Sequence, residues 1–192
     1  MTQQRALQIF EEAGVLMKGH FLLTSGRHSD RYLQCAQIFR NPKYSEEICG
    51  ALAENWRRKG IEIVIGPAMG AVQMAYEVSR ALGCENFFTE RGADGKMALR
   101  RGFRVLPGQK VLVVEDVVTT GGSVREVMEL VRAAGGTVAG VGAVVDRTAG
   151  KIDFGVPFRA VASLDVRSWA PEDCPLCRAG ASAPVKPGSR RL

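Results

Sequence analysis

The chain has 192 residues, enough for one compact domain with a small appendage, and 46% of them are hydrophobic, enough to cover both faces of a central sheet. Lys plus Arg number 26 against 20 Asp plus Glu, and the resulting +6 is scattered apart from small clusters at 57–59 and 100–101; with no long basic run or interleaved aromatic stripe, a nucleic-acid track is excluded and a small polyanionic ligand fits better. No apolar stretch approaches the ~20 residues that span a bilayer, residues 1–10 lack a signal-peptide apolar segment, and the five cysteines read as reduced thiols, so a cytoplasmic protein without a membrane partner is expected.

In chain order, the pattern predicts a helix over 3–18, with Leu7, Ile9, Phe10, Ala13 and Leu16 loosely on one face. Two short strands follow, at 21–23 and 32–33, around the polar, turn-rich stretch 24–30. Asn41-Pro42 breaks the chain before a helix at about 43–59, whose Ile48, Leu52 and Trp56 recur every four residues and which ends at Gly60. A strand at 61–65 meets the turn 66–70, and a helix follows at about 70–82. Phe87-Phe88 opens another strand, which enters a glycine-rich, basic and mobile loop at 91–102. Val111 to Val114 form the continuous apolar run of a strand buried on both faces. A helix at about 122–134, a strand at 137–145 and a further strand at 160–166 complete the pattern. Strands alternating with helices predict an α/β fold with a mostly parallel sheet flanked by helices. Residues 1–168 form that domain, including a small segment at 20–39, and residues 169–192 are read as an extended tail or small cap.

The most informative stretch runs from Val111 to Val124. An apolar strand ends in Glu115 and Asp116, Val117 and Val118 follow, and Thr119, Thr120, Gly121, Gly122 and Ser123 lead into a helix. Ligands in open α/β sheets bind at the carboxyl ends of strands. Glycines let backbone N–H groups approach an anion, and a helix start adds unpaired donors and a positive dipole end. The hydroxyls of Thr119, Thr120 and Ser123 complete a cradle for a phosphate monoester. Glu115 and Asp116 suit sugar hydroxyls and attract a divalent cation, directly or through water. A plain helix N-cap after surface acids is the simpler reading, but an acidic pair at the tip of a buried strand goes beyond it. No Lys follows the glycines, as a Walker loop requires, and no Gly-x-Gly-x-x-Gly is present.

The same stretch resembles the phosphoribosyl pyrophosphate motif of type I phosphoribosyltransferases: an apolar run, two acids, two apolar residues, then Thr and Gly. Two further segments resemble the orotate phosphoribosyltransferase branch. Phe21-Leu-Leu-Thr24-Ser25-Gly26-Arg27-His28-Ser29-Asp30-Arg31-Tyr32 is similar to that branch's N-terminal pattern, and Val144-Val145-Asp146-Arg147 matches a strand end where it keeps an Arg. The likeness extends over about residues 5–168. It implies the type I fold with a small N-terminal hood, a homodimer, and Mg²⁺ held mainly through substrate rather than by direct protein ligands. It also implies transfer of the 5-phosphoribosyl group from phosphoribosyl pyrophosphate to orotate, giving orotidine 5′-phosphate and pyrophosphate in de novo pyrimidine synthesis.

By the same likeness, phosphoribosyl pyrophosphate is held by Glu115, Asp116, Val117, Val118, Thr119, Thr120, Gly121, Gly122 and Ser123 with Arg91 and Lys96. Orotate is held by Thr24, Ser25, Gly26, Thr119 and Arg147, and catalysis rests on Asp116, Glu115 and Lys96. An Arg suits a carboxylate because its planar fork donates two hydrogen bonds. The loop departs from the family pattern: it has no His, and position 24 is Thr where some members have Lys. Two alternatives stand beside this reading: transfer to another base, and a non-catalytic regulator that senses phosphoribosyl pyrophosphate. The first is opposed by 24–32 and Arg147, and the second by the lack of room for a DNA-binding module. Cys174-x-x-Cys177 has metal-ligand spacing but supplies two of the four ligands zinc takes, so plain thiols in a tail are expected. His20 reads as a loop or strand-edge residue, and His28 falls within the hood.

Overall fold

The computed structural model describes residues 1–23 and 25–187. Helix α1 (Gln3–Glu12) starts on Thr2, whose hydroxyl accepts the Arg5 N–H at 3.2 Å, and buries Ala6, Ile9 and Phe10. It does not run to residue 18. The Gly14 and Val15 N–H groups turn back onto the Glu11 and Phe10 carbonyls at 3.1 and 2.8 Å, which closes the helix. The chain leaves as strand β1 (Leu16–Leu22), which pairs antiparallel with β2 (His28–Leu33). These strands are longer than the sequence predicts. Their buried positions include His20, His28 and Ser29, so the inward face carries no apolar alternation to read.

Helix α2 (Ala36–Phe39) precedes α3 (Pro42–Glu54), where Asn41 accepts the Lys43 N–H at 3.1 Å and Pro42 sits at the first turn. The helix stops earlier than the predicted 59, and Arg58 takes a positive φ of 62° in the turn beyond. Strand β3 (Ile63–Pro67) is buried throughout, followed by α4 (Val72–Leu82) and β4 (Glu85–Arg91). The predicted loop 91–102 contains a short strand, β5 (Met97–Leu99), which folds back antiparallel onto β4. Three residues among glycines and charges show no period of their own. Then come β6 (Lys110–Val118), α5 (Gly122–Ala133), β7 (Thr137–Asp146) and β8 (Phe158–Ser163). A 3-10 turn (Pro171–Asp173) and helix α6 (Pro175–Arg178) close the chain.

The six-stranded sheet has the order β5-β4-β3-β6-β7-β8, parallel except at β5. Both faces of its centre are covered, which is why β6 reads as an unbroken apolar run. Leu112 and Val114 face helices α1, α3 and α4, together with Val64, Leu52 and Met74. Val111 and Val113 face α5, with Val127, Met128 and Val131. The chain passes from β3 to β4 on one side and returns to β6 on the other, so the order reverses between β3 and β6, where open α/β sheets bind ligands. Among the described residues no helix is long and apolar enough to cross a membrane.

Candidate active site

A cleft of about 670 Å³ opens at the carboxyl ends of β3, β4 and β6. Its floor is the predicted acid and glycine segment: Glu115, Asp116, Val117, Val118, Thr119, Thr120, Gly121, Gly122 and Ser123 all line it. Glu115 and Asp116 are half-buried, and the Asp116 carboxylate accepts the Val117 N–H at 2.8 Å. Below them lies Cys35, whose thiol pKa is pushed well up, first by burial and then by the nearby negative charge of Asp116 and Glu115. Opposite stands Gly70, where a Cβ would come within 2.8 Å of an Asp116 carboxylate oxygen, so the turn after β3 approaches the acid as only a glycine allows.

Gly121 takes a left-handed conformation (φ 74°, ψ 9°) as the N-cap of α5, and a Cβ there would lie 2.8 Å from the Phe154 ring. Glycine is therefore required both for the turn and for the packing beneath it. Gly121 brings no side chain to cap α5, and residues 121–124 at its start line the cleft beside the exposed Thr119 and Thr120. Carboxylates, hydroxyls and an open helix start together suit a sugar phosphate. The two carboxylates also supply the oxygen donors that Mg²⁺ takes.

The basic residues are arranged differently from one another. Arg91, at the end of β4, lines the cleft and makes a two-pronged pair with Glu126 of α5 at 3.0 Å on each arm. Lys96 is exposed on the β4–β5 turn and does not line the cleft; its backbone N–H donates to Asp94 at 3.1 Å. Arg101 is held by Glu90 at 2.9 and 3.0 Å.

The predicted acceptor side is only partly gathered. Thr24 lies outside the described residues. Ser25 and Gly26 form the tip of the β1–β2 hairpin, where the Gly26 N–H donates to the Leu23 carbonyl at 2.9 Å, and neither lines the cleft. Arg147 follows β7 and also stands back from the lining. Its guanidinium donates to the Val166 carbonyl at 3.2 Å, while its buried Nε has no hydrogen-bond partner. Burial pulls the Arg147 pKa down, and Asp165 and Tyr32 oppose that pull. Neighbouring Asp146 organises the following loop by accepting from the Thr148 and Gly150 N–H groups at 2.7 and 3.0 Å.

Tyr32 of β2 and Gln34 just past it line the cleft, and so does Pro187 of the tail. Sequence reasoning had Tyr32 within its motif but assigned it no role, and it carried no signal for Gln34 or Pro187. Glu126 was also missed; its place on the first turns of α5, one helical step from Ser123, is the signal that could have found it.

Comparison with known proteins agrees with this geometry. The pattern of the phosphoribosyl transferase domain matches residues 34–154. Orotate phosphoribosyltransferase of Pelotomaculum thermopropionicum is 56% identical over 192 residues, all of both chains. The enzyme of the same name from Caldanaerobacter subterraneus subsp. tengcongensis is also 56% identical over 192 residues and the full length of both. Among solved structures, the orotate phosphoribosyltransferase of Aeropyrum pernix superposes with a TM-score of 0.71 at 26% identity, covering 82% of this chain and 92% of that one. With its acid-tipped strand, its open helix start and relatives matched end to end, the chain belongs to the phosphoribosyl transferase domain family and, within it, to the orotate phosphoribosyltransferases.

Proposed function

We propose that the cleft holds phosphoribosyl pyrophosphate against orotate and moves the phosphoribosyl group from one to the other, releasing pyrophosphate in pyrimidine synthesis. The observation that carries this reading is the tip of β6, where two carboxylates stand beside the glycine-lined start of α5 at the sheet's switch point. Residues 119–123 receive the 5′-phosphate through backbone N–H groups and hydroxyls. Glu115 and Asp116 accept from the ribose hydroxyls and face the positive charge that grows at C1 as the leaving group departs. The orotate nitrogen attacks C1, so no protein nucleophile is needed.

Arg147 meets the orotate carboxylate. Its buried, unpartnered Nε is the donor such an anion would satisfy. Arg91 and Lys96 take up charge on the pyrophosphate; Arg91 must first leave Glu126. Glu115 and Asp116 are the residues toward which Mg²⁺ would be drawn, directly or through water, and the ion, held mainly by the substrate, would neutralise pyrophosphate charge. Lys96 is exposed and does not line its own cleft, which favours a homodimer in which it serves the neighbouring site. We also infer a cytoplasmic location.

The test is release of pyrophosphate from phosphoribosyl pyrophosphate and Mg²⁺ on addition of orotate. Release that follows orotate and not adenine or uracil is expected. Release with another base and none with orotate overturns the acceptor, and release with no base at all overturns the transfer.

A further inference from the structure

Four ligand atoms from opposite ends of the chain meet where the tail covers the buried histidines of the hood. His20 Nε2 lies 3.1 Å from His28 Nδ1, 3.5 Å from Cys174 Sγ and 3.7 Å from Cys177 Sγ, and Cys177 Sγ lies 3.3 Å from His28 Nδ1. All four atoms fall within 4.8 Å of one another. We propose that His20, His28, Cys174 and Cys177 bind one structural Zn²⁺ that fastens the C-terminal tail to the hood hairpin.

Hydrogen bonding alone does not account for the cluster. His20 Nδ1 sits 2.7 Å from the Ser182 carbonyl, which only accepts, so that nitrogen carries the proton. In the neutral ring Nε2 then offers a single lone pair, yet three atoms crowd it. Protonating Nε2 as well would give one donor for the same three neighbours. A cation at the centre of the four satisfies them together. The spacing agrees: with Zn–N near about 2.0 Å and Zn–S near about 2.3 Å, tetrahedral ligand atoms stand about 3.3 Å apart for N to N and about 3.6 Å for N to S. The carbonyl on the far nitrogen of His20 is the kind of outer partner that fixes a metal-bound imidazole.

The set also balances in charge. Two thiols release their protons on binding, and two thiolates with two neutral imidazoles cancel Zn²⁺, so the neutral complex fits where His20, His28 and Cys174 are buried. Exposed Cys177 leaves an entry path. The fold builds the site from two elements, the hairpin and α6. The register Leu22↔His28 puts His20 and His28 on one face of the hairpin, and the Cys-x-x-Cys pair enters α6.

Measurement of metal in tag-free protein should find about one zinc per chain, absent from the doubly substituted Cys174→Ser, Cys177→Ser protein. Stripping the metal should lower Tm by roughly 5 °C or more, with recovery on adding zinc. Cobalt added to stripped protein should give tetrahedral d–d bands and a thiolate-to-cobalt charge-transfer band. That titration uses the native sequence and stands even if the serine variant fails to fold. Zinc retained by the folded serine variant would place the ion elsewhere. A chain isolated without zinc, with no thiolate–cobalt band and a Tm indifferent to zinc and chelator, overturns the proposal.

Discussion

Asp116 stands near the end of a strand that is buried over Val111–Val114 and is itself half-buried in the cleft wall, so its charge and its place in the fold separate cleanly. Asp116→Asn keeps the shape and removes the charge. A loss of about 10²-fold or more in kcat, at unchanged Tm, is the expected outcome of steady-state kinetics and a thermal melt; near-normal kcat would strip Asp116 of its role. Arg147→Lys keeps the cation and loses the planar fork. A rise of roughly 10-fold in KM for orotate, with KM for phosphoribosyl pyrophosphate unmoved, is expected, since a lost charged hydrogen bond is worth about 1.5–3 kcal/mol. Both residues were legible before the fold was known, for different reasons. Glu115 and Asp116 sit in one contiguous stretch whose chemistry is local, whereas Arg147 alone would read as a strand-end ion pair and gained meaning only through resemblance. His20 does lie on an edge strand, β1, but its meeting with Cys174 and Cys177 was not legible, because those partners stand more than 150 residues away.

At the level of elements, the sheet was legible because β3, β6 and β7 are buried on both faces and show it as unbroken apolar runs. The hairpin was legible only in part, as two strands shorter than β1 and β2, because its buried positions mix His20, His28 and Ser29 with Phe21 and Leu33. One packing detail is invisible without coordinates: β7 approaches the turn after α3 so closely at Gly140 that a Cβ there would overlap the Trp56 ring, and one at Gly142 would lie 3.0 Å from Leu52 of α3. Gly140→Ala forces that turn and the strand apart. It should cost about 2–3 kcal/mol of stability, read as a lower denaturant midpoint. The kcat of the folded fraction should be unchanged, because Gly140 lies well along β7 from the cleft.

At the scale of the whole molecule, the cleft draws on the hairpin, the sheet and the tail at once: Tyr32, the β6 tip and Pro187 all line it. Lys96, on the turn between β4 and β5, is exposed and does not line it. If that lysine serves a neighbour, Lys96→Ala and Asp116→Asn each give inactive homodimers, yet a mixed dimer contains one site with both native groups. Unfolding and refolding an equal mixture should then recover about a quarter of native activity by random pairing, while either variant alone recovers none. Failure to recover activity would confine Lys96 to its own subunit.

The grip of the tail on the hairpin has a consequence for how the protein is made. Arg27 donates to the Ser168 hydroxyl and carbonyl at 3.0 and 2.6 Å, His28 and Trp169 exchange backbone bonds at 2.8 and 2.9 Å, and the Leu22 N–H donates to the Val185 carbonyl at 2.8 Å. Every strand of the large sheet precedes residue 164. A two-stranded ribbon holds poorly by itself. During translation the sheet closes around its own helices while the ribbon, synthesised early, waits for the last-made residues to pin it. A nascent chain thus owns its sugar-phosphate pocket before the wall bearing Tyr32 is fixed in place.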